Sequence, residues 1–225
     1  MRKRRVCGQC WRATVVLLAC LFTFKFVAVE AAPSNAATAL SLLQSLSIVR
    51  GDGKSRGRDV TTPITIPELV TLLDRSLDLA DVAIAPSSAD STAASTSTWS
   101  NVLVPQWARG PMQISLRTGI LSGIPTTAGQ TISRQDAAVI FVRAAVITNR
   151  LHGAVARKLS TSVARDVAAI EPDLLSYVDL SLRTRVLFVT ARGTFEPTAR
   201  LTWGDTARAI VQLRAASTTR TRNEE

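Results

Sequence analysis

The sequence predicts an all-α protein built from three copies of one helix–turn–loop–helix unit, following an N-terminal targeting segment. Three observations predict this class. A helix-start signal recurs after 68 and then 69 residues, an upstream helix recurs with it, and the apolar residues follow helical spacing. A period of this length is typical of repeat architectures, in which each unit buries its apolar face against its neighbours.

Each helix-start signal is an apolar residue, then Ser or Thr, then an acidic residue three positions after the hydroxyl. The three copies are ITIPE at 64–68, ISRQD at 132–136 and LTWGD at 201–205. In such a capping box the hydroxyl and the carboxylate satisfy the first free amides of a helix, and the preceding apolar residue packs as a staple. We therefore expect a long helix after each box, the second beginning at Arg134.

The helix upstream of each box recurs as well. The sequence ISLRTGIL at 114–121 is similar to LSLRTRVL at 180–187, and LLQSLSIVRG at 42–51 supplies a comparable turn. Gly119 stands where the helix would end in the left-handed conformation, which glycine adopts without a Cβ clash. The third copy has Arg185 at this position, and a left-handed arginine costs about 1 kcal/mol, so we expect the third turn to differ.

The order and spacing of these motifs resemble the S-layer homology (SLH) domain, whose repeat runs F-x-D-V, W-A, G-I-x-x-G, often G-x-F-x-P, then I-T-R-A-E. The second copy has WSNV at 99–102, WA at 107–108, GILSG at 119–123 and ISRQD at 132–136. The third has RDV at 165–167, GTFEP at 193–197 and LTWGD at 201–205, and the first has SIVRG at 47–51 and ITIPE at 64–68. The resemblance implies a pseudo-threefold helical bundle whose grooves bind an anionic secondary cell-wall polymer, often through a pyruvylated amino sugar.

Matched by position, the resemblance implies a glycan site centred on the second copy. The basic residue of I-T-R-A-E is central to polymer binding in that family, and it matches only Arg134, because Ile66 and Trp203 stand in its place elsewhere. A helix start also favours an anion through its free amides and its dipole. The F-x-D-V acid matches Asp166 in the third copy and becomes Asn101 in the second.

Three further residues of the second copy belong to this predicted glycan site. Gly119 and Gly123 match the two glycines of G-I-x-x-G, whereas the third copy has Arg185 and Val189 there. Trp107 matches the tryptophan of W-A and has two readings. It is either a filler of the core or an exposed indole on which the apolar face of a sugar stacks.

The first 31 residues have the layout of a secretory signal peptide. A basic N-terminus precedes an apolar run at 13–24, and Val29-Glu30-Ala31 predicts cleavage after Ala31. Two alternatives stay open, an uncleaved membrane anchor and a lipoprotein modified at Cys20. The predicted organisation is signal peptide 1–31, first repeat 32–84 (truncated at its start), low-complexity linker 85–98, second repeat 99–157, third repeat 158–216 and polar tail 217–225.

The composition argues against disulfides, thiolate metal sites and nucleic-acid binding. The three cysteines, Cys7, Cys10 and Cys20, lie in the leader, so cleavage would leave no disulfide and no thiolate metal site. Residues 32–225 keep 21 basic and 16 acidic residues. The basic ones are almost all arginines, and they are scattered rather than clustered in the stripe that nucleic-acid binding requires. Scattered arginine suits a solvated surface, and its planar fork also suits the carboxylates of a wall polymer.

No enzymatic site is predicted. His152 is the single histidine, no catalytic or phosphate-binding motif accompanies it, and we expect neither metal nor cofactor. The sequence therefore predicts a non-enzymatic protein of a bacterial cell wall or surface, which attaches non-covalently to a secondary cell-wall polysaccharide and meets a membrane only through an uncleaved leader. The alternative is a degenerate structural or protein-interaction module of the envelope that no longer binds glycan.

Overall fold

Helices account for all the regular structure in the part of the chain that the computed structural model describes, residues 35–49, 59–84, 104–126, 129–151 and 164–221. This confirms the all-α class. The α-helices are α1 (Ala36–Ser45), α2 (Ile66–Leu77), α3 (Leu79–Ile84), α4 (Arg109–Arg117), α5 (Arg134–Ile147), α6 (Leu175–Arg183) and α7 (Trp203–Thr221). Single 3-10 turns cover Gln106–Ala108, Val167–Ala169 and Pro172–Leu174. The leader and Asn101 lie outside the described residues.

The three predicted capping boxes are present at the starts of α2, α5 and α7. In each box the backbone N–H of one residue of the pair donates to a side-chain oxygen of the other. The contacts are Thr65 N to Glu68 Oε2 (3.0 Å), Asp136 N to Ser133 Oγ (3.2 Å) and Asp205 N to Thr202 Oγ1 (3.1 Å). The three residues before the caps, Ile64, Ile132 and Leu201, are buried as the staple predicts.

The segments that lead into these helices pair with one another through their backbones. We call residues 62–66, 130–134 and 199–203 the first, second and third start segments. Each forms a β-bridge from its N-cap residue to the residue two positions before the N-cap of another: Thr65 to Thr131, Ser133 to Arg200, and Thr202 to Pro63. Because the third bridge returns to the first segment, the three segments close a ring.

Backbone hydrogen bonds repeat the same cyclic order. The amide after each N-cap donates to the carbonyl three residues before the N-cap of the next segment. These bonds are Ile66 N to Gln130 O (3.2 Å), Arg134 N to Ala199 O (2.9 Å) and Trp203 N to Thr62 O (2.9 Å). The next amide along donates from Gln135 to Pro197 O and from Gly204 to Val60 O, whereas Pro67 has no N–H to give.

Helix packing follows the ring. The short helix α4 packs against α2, α6 packs against α5, and α1 packs against α7. The short helices α1, α4 and α6 precede the first, second and third start segments. Each therefore packs on the long helix that follows another start segment, and the contact of α1 with α7 joins the first described helix to the last. The core between them is formed by apolar side chains of all three segments and their helices, including Ile64, Phe141 and Phe195, each fully buried.

The turn that ends each short helix is the same in all three places. Ser47, Gly119 and Arg185 adopt left-handed φ values of 58°, 74° and 58°. The amide of each donates to the carbonyl three residues earlier, at 3.0, 2.9 and 3.1 Å. The expectation that the third turn would differ is therefore wrong at Arg185. Four residues further on the turns do differ, because Gly123 has a φ of 75° whereas Val189 does not have a positive φ. Burying Val186 and Leu187 directly after the turn contributes more than the ~1 kcal/mol of strain at the arginine.

None of the helices in the described ranges combines the length and the hydropathy needed to cross a bilayer.

Gly204 marks a close approach between helices and supplies a test of the packing. A Cβ there would lie 2.9 Å from the carbonyl oxygen of Val60 and 2.9 Å from Cβ of Ala36, so we expect Gly204→Ala to lower the free energy of unfolding by about 1–3 kcal/mol. In α4, a Cβ on Gly110 meets nothing within 4 Å, and Gly110→Ala should raise that free energy by about 0.5–1 kcal/mol. Urea unfolding measures the free energy of unfolding of both variants. An equal increase for Gly204→Ala and Gly110→Ala would contradict the close contact of α7 with α1 and Val60.

Candidate functional site

Arg134, the central residue of the predicted glycan site, is buried at the junction of the second and third start segments. Its residue exposure is 7%. The guanidinium donates from Nε to Phe195 O (2.8 Å) and from Nη2 to Phe188 O (2.6 Å), and it lies 5.2 Å from the centre of the Phe195 ring. The remaining nitrogen, Nη1, pairs with the carboxylate of Asp205 at 2.8 Å. All three nitrogens thus bond to the protein, which favours a structural role.

Two more polar interactions strengthen this junction. Asp205 bridges two arginines, because its second oxygen accepts from Arg208 at 2.6 Å. The buried amide of Gln135 donates to Glu171 at 2.6 Å and accepts from the Glu171 N–H at 3.3 Å. A buried guanidinium is stable only when its charge and its donors are satisfied, and Asp205 together with the carbonyls supplies both.

Asp166, the second predicted acid, is held by the backbone. Its two carboxylate oxygens accept from the N–H groups of Phe195 and Glu196, both at 2.7 Å. Partial burial raises the pKa of Asp166, but these two amides and the charge of Arg134 favour the ionised form more strongly, so the pKa lies below its ordinary value. The carboxylate fixes the loop 190–196 against the 3-10 turn that follows Asp166.

The remaining predicted site residues lie apart from this network. Gly119 and Gly123 both have left-handed φ, 74° and 75°, and they form the turn after α4. Trp107 is 53% exposed, so of its two readings the structure favours the exposed indole over the filler of the core. Neither glycine nor Trp107 contacts the cleft described next.

A cleft of about 300 Å³ opens beside the ring of start segments. Its wall contains hydroxyl and amide groups, a short apolar surface, one carboxylate and one arginine. The lining residues are Ile66, Ile124, Pro125, Gln130, Thr131, Ile132, Ser133, Asp136, Thr198 and Arg200. All three start segments contribute to it, and none of the five predicted site residues in the described ranges does.

The charges of the cleft are placed unequally. The carboxylate of Asp136 is engaged within its own capping box, where Oδ2 accepts from the Ser133 hydroxyl at 2.6 Å. Arg200 is exposed, and it forms no ion pair with any residue in the described ranges. Its backbone is fixed by the bridge to Ser133. The cleft therefore offers a guanidinium fork beside neutral hydrogen-bonding groups, which suits a polyol that carries an acidic substituent.

Arg200 was not among the site residues predicted from the sequence, although its position carries a signal. Arg200, Thr131 and Pro63 each stand two residues before an N-cap, and this register forms the bridges of the ring. The sequence also did not single out Arg75 and Arg143. These two arginines are 68 residues apart, the same spacing as the first two N-caps. Each donates to the turn after the short helix of its own unit, to Ile48 O (3.4 Å) and Ile120 O (3.3 Å).

Within the described residues, no group of three or more His, Cys, Asp or Glu side chains is placed to hold a metal ion. No model of a known protein family matches the sequence, and no curated protein is significantly similar to it.

The hydrogen bonds to Asp166 predict a pH-dependent stability. Asp166→Asn keeps one acceptor oxygen but turns an NH₂ group towards an amide, so we expect it to lower the free energy of unfolding at pH 7 by about 1–2 kcal/mol. Because the folded pKa is lowered, the charge stabilises the protein above the unfolded pKa of about 4, and the difference from wild type should shrink as the pH falls below that value.

Asp74→Asn is the matched control for this experiment, with the opposite sign. Burial raises the pKa of Asp74, so removing its charge should stabilise the protein at pH 7, and this gain should also disappear in acid. Chemical unfolding between pH 3 and pH 7 measures both variants. A deficit of Asp166→Asn that does not change with pH would contradict the ionised contact.

Proposed function

We propose that the chain is a non-enzymatic cell-envelope protein whose three SLH-like repeats form a pseudo-threefold bundle and attach non-covalently to an anionic secondary cell-wall polysaccharide. The observation that carries the proposal is the cyclic pairing of the three start segments. Each pairing has the same register in three places, as expected for three copies of one unit. The shared left-handed turn at Ser47, Gly119 and Arg185 supports the same repeat assignment.

The cleft beside the ring is the proposed contact with the polymer. The guanidinium of Arg200 would bind a carboxylate of the glycan, such as that of a pyruvylated sugar, by a charge-assisted fork. The hydroxyl of Thr131 would bond to a sugar hydroxyl, and Pro125 offers a small apolar surface to the ring. No step of covalent chemistry is required for attachment.

The residues predicted from the sequence take supporting places in this proposal. Arg134 positions the cleft, because its contacts hold the second start segment against the third, where Ser133 meets Arg200. Asp166 holds the loop that leads into the third segment. Gly119 and Gly123 shape the turn after α4, and Trp107 is free to stack on a sugar outside the cleft. Direct glycan contact by Arg134 or Asn101 stays a prediction of the resemblance.

The proposed location is the wall or surface of a bacterium, reached through cleavage of the leader after Ala31. Retention of the leader, or lipidation at Cys20, would instead tether the bundle to a membrane. Both routes deliver the same polysaccharide-binding bundle to the envelope.

A degenerate structural or protein-interaction module is the second candidate. One observation favours it: of the three positions equivalent to the box arginine, only one holds arginine, and its nitrogens already bond to the protein. A module of this kind would associate with itself or with another envelope protein without glycan. Sedimentation of the mature chain with and without added polymer separates the two candidates. Self-association without polymer supports the interaction module, whereas co-sedimentation with the polymer supports glycan attachment.

A sedimentation assay with purified wall sacculi that retain their secondary polymer tests the proposed function. Arg200→Ala should weaken binding about tenfold, the cost of one lost charge-assisted contact. The matched control is Arg192→Ala, which removes an exposed arginine of the same repeat that lies outside the cleft. Both variants should unfold at the temperature of the wild type.

Arg134→Ala completes the set with a different expected signature. It should weaken binding and also lower the unfolding temperature, because it leaves the part-buried Asp205 paired with Arg208 alone and removes the donors to Phe188 O and Phe195 O. No binding by the wild type would overturn the proposed function. Equal binding by wild type and Arg200→Ala would overturn the assignment of the cleft.

A further inference from the structure

The outer faces of the three short helices can be compared position by position, because α1, α4 and α6 end in the same turn at Ser47, Gly119 and Arg185. On α4 the exposed stripe consists of Arg109, Gln113 and Arg117. These residues are four apart, so they lie along one side of the helix. Both arginines are exposed to solvent, and α4 contains no acidic residue.

The equivalent faces of the other two short helices carry different charges. On α6 the positions are taken by Leu175, Asp179 and Arg183, and the last two neutralise each other in an ion pair of 3.0 Å with 14% exposure each. On α1 they are taken by Ala37, Ser41 and Ser45 (an uncharged stripe). Of these three equivalent faces, only that of α4 presents a net positive charge.

The elements that pack against α4 do not cancel this charge. Helices α2 and α3 are its neighbours, and Asp81 on α3 is exposed. Within the described part of the chain, neither Arg109 nor Arg117 has a carboxylate oxygen within 4 Å. Trp107, 53% exposed, lies in the 3-10 turn at the N-terminal end of the same helix.

We propose that the outer face of α4 is a second contact surface for the acidic polysaccharide, distinct from the cleft. The inference rests on the proposed function and extends it from a sugar in the cleft to a length of polymer. Two residues eight positions apart on a helix are separated by about 12 Å along its axis. Arg109 and Arg117 therefore fit a strand whose acidic groups recur at intervals of more than one sugar.

Each group on this face has a counterpart in such a strand. The guanidinium forks bind carboxylates, and Gln113 between them bonds to sugar hydroxyls. Because the cleft and the α4 face belong to one bundle, binding at one raises the effective concentration of the polymer at the other. The gain from the α4 face therefore depends on the length of the glycan.

The test compares intact secondary polymer with a fragment of one repeating unit, by calorimetry. The double variant Arg109→Ala/Arg117→Ala should bind the intact polymer about tenfold more weakly, as expected for two exposed charge contacts, and should bind the fragment within twofold of wild type. The matched control is Arg165→Ala/Arg192→Ala, which removes two exposed arginines elsewhere and leaves the same net charge. Arg200→Ala should weaken the binding of both the intact polymer and the fragment.

The other outcomes decide whether the α4 face contacts the polymer. If the wild type binds the polymer and the double variant binds it as well as the control does, the α4 face is excluded and the proposed function stands. Equal loss for polymer and fragment would place these arginines at the cleft and overturn the second surface. Equal affinity of the wild type for double-stranded DNA of matched length would make the face a general polyanion surface, which also overturns it. No binding of the polymer by the wild type overturns the inference together with the proposed function.

Discussion

Cyclic backbone pairing of the three start segments is the constraint on which the rest of the structure depends. Each long helix begins one residue after a bridge, so the bridges set where α2, α5 and α7 start relative to one another. The short helices then pack on long helices of neighbouring segments, and the cleft forms where the second and third segments run beside the first. Hydrogen bonds between segments distant in sequence cost loop-closure entropy, so the ring depends on the buried apolar residues behind it.

The residue after each N-cap shows how one position serves different chemistries. Ile66, Arg134 and Trp203 are all buried there, with exposures of 1%, 7% and 4%. Two of these positions are filled by apolar side chains, whereas Arg134 requires a carboxylate, two carbonyls and an aromatic ring around it. An isolated charge at this depth would be costly, and its partners come from Phe188, from Phe195 in the loop before the third segment, and from Asp205 in α7. The junction of the second and third units therefore depends on ionic contacts.

Local features of this fold were predictable from the sequence, and tertiary contacts were not. The capping boxes, the staples and the second long helix at Arg134 follow from short-range hydrogen bonding and are present as predicted. The left-handed Arg185 was not foreseen, because strain estimated from one residue ignores the burial of the next two. Motif matching selected Arg134 for its residue type, but the bonding of its nitrogens depends on Phe188 and Phe195, more than 50 residues away. Arg200 has no motif of its own and becomes notable only through the bridge to Ser133.

Closure of the ring is tested most directly by native-state hydrogen exchange at the three cross-segment amides, those of Ile66, Arg134 and Trp203. If the three segments form one cooperative unit, all three amides should exchange only through global unfolding, with the same opening free energy and the same dependence on denaturant. Exchange of the Ile66 and Trp203 amides at a distinctly lower free energy than that of Arg134 would contradict the closed ring. It would mean that the first unit opens while the other two stay paired.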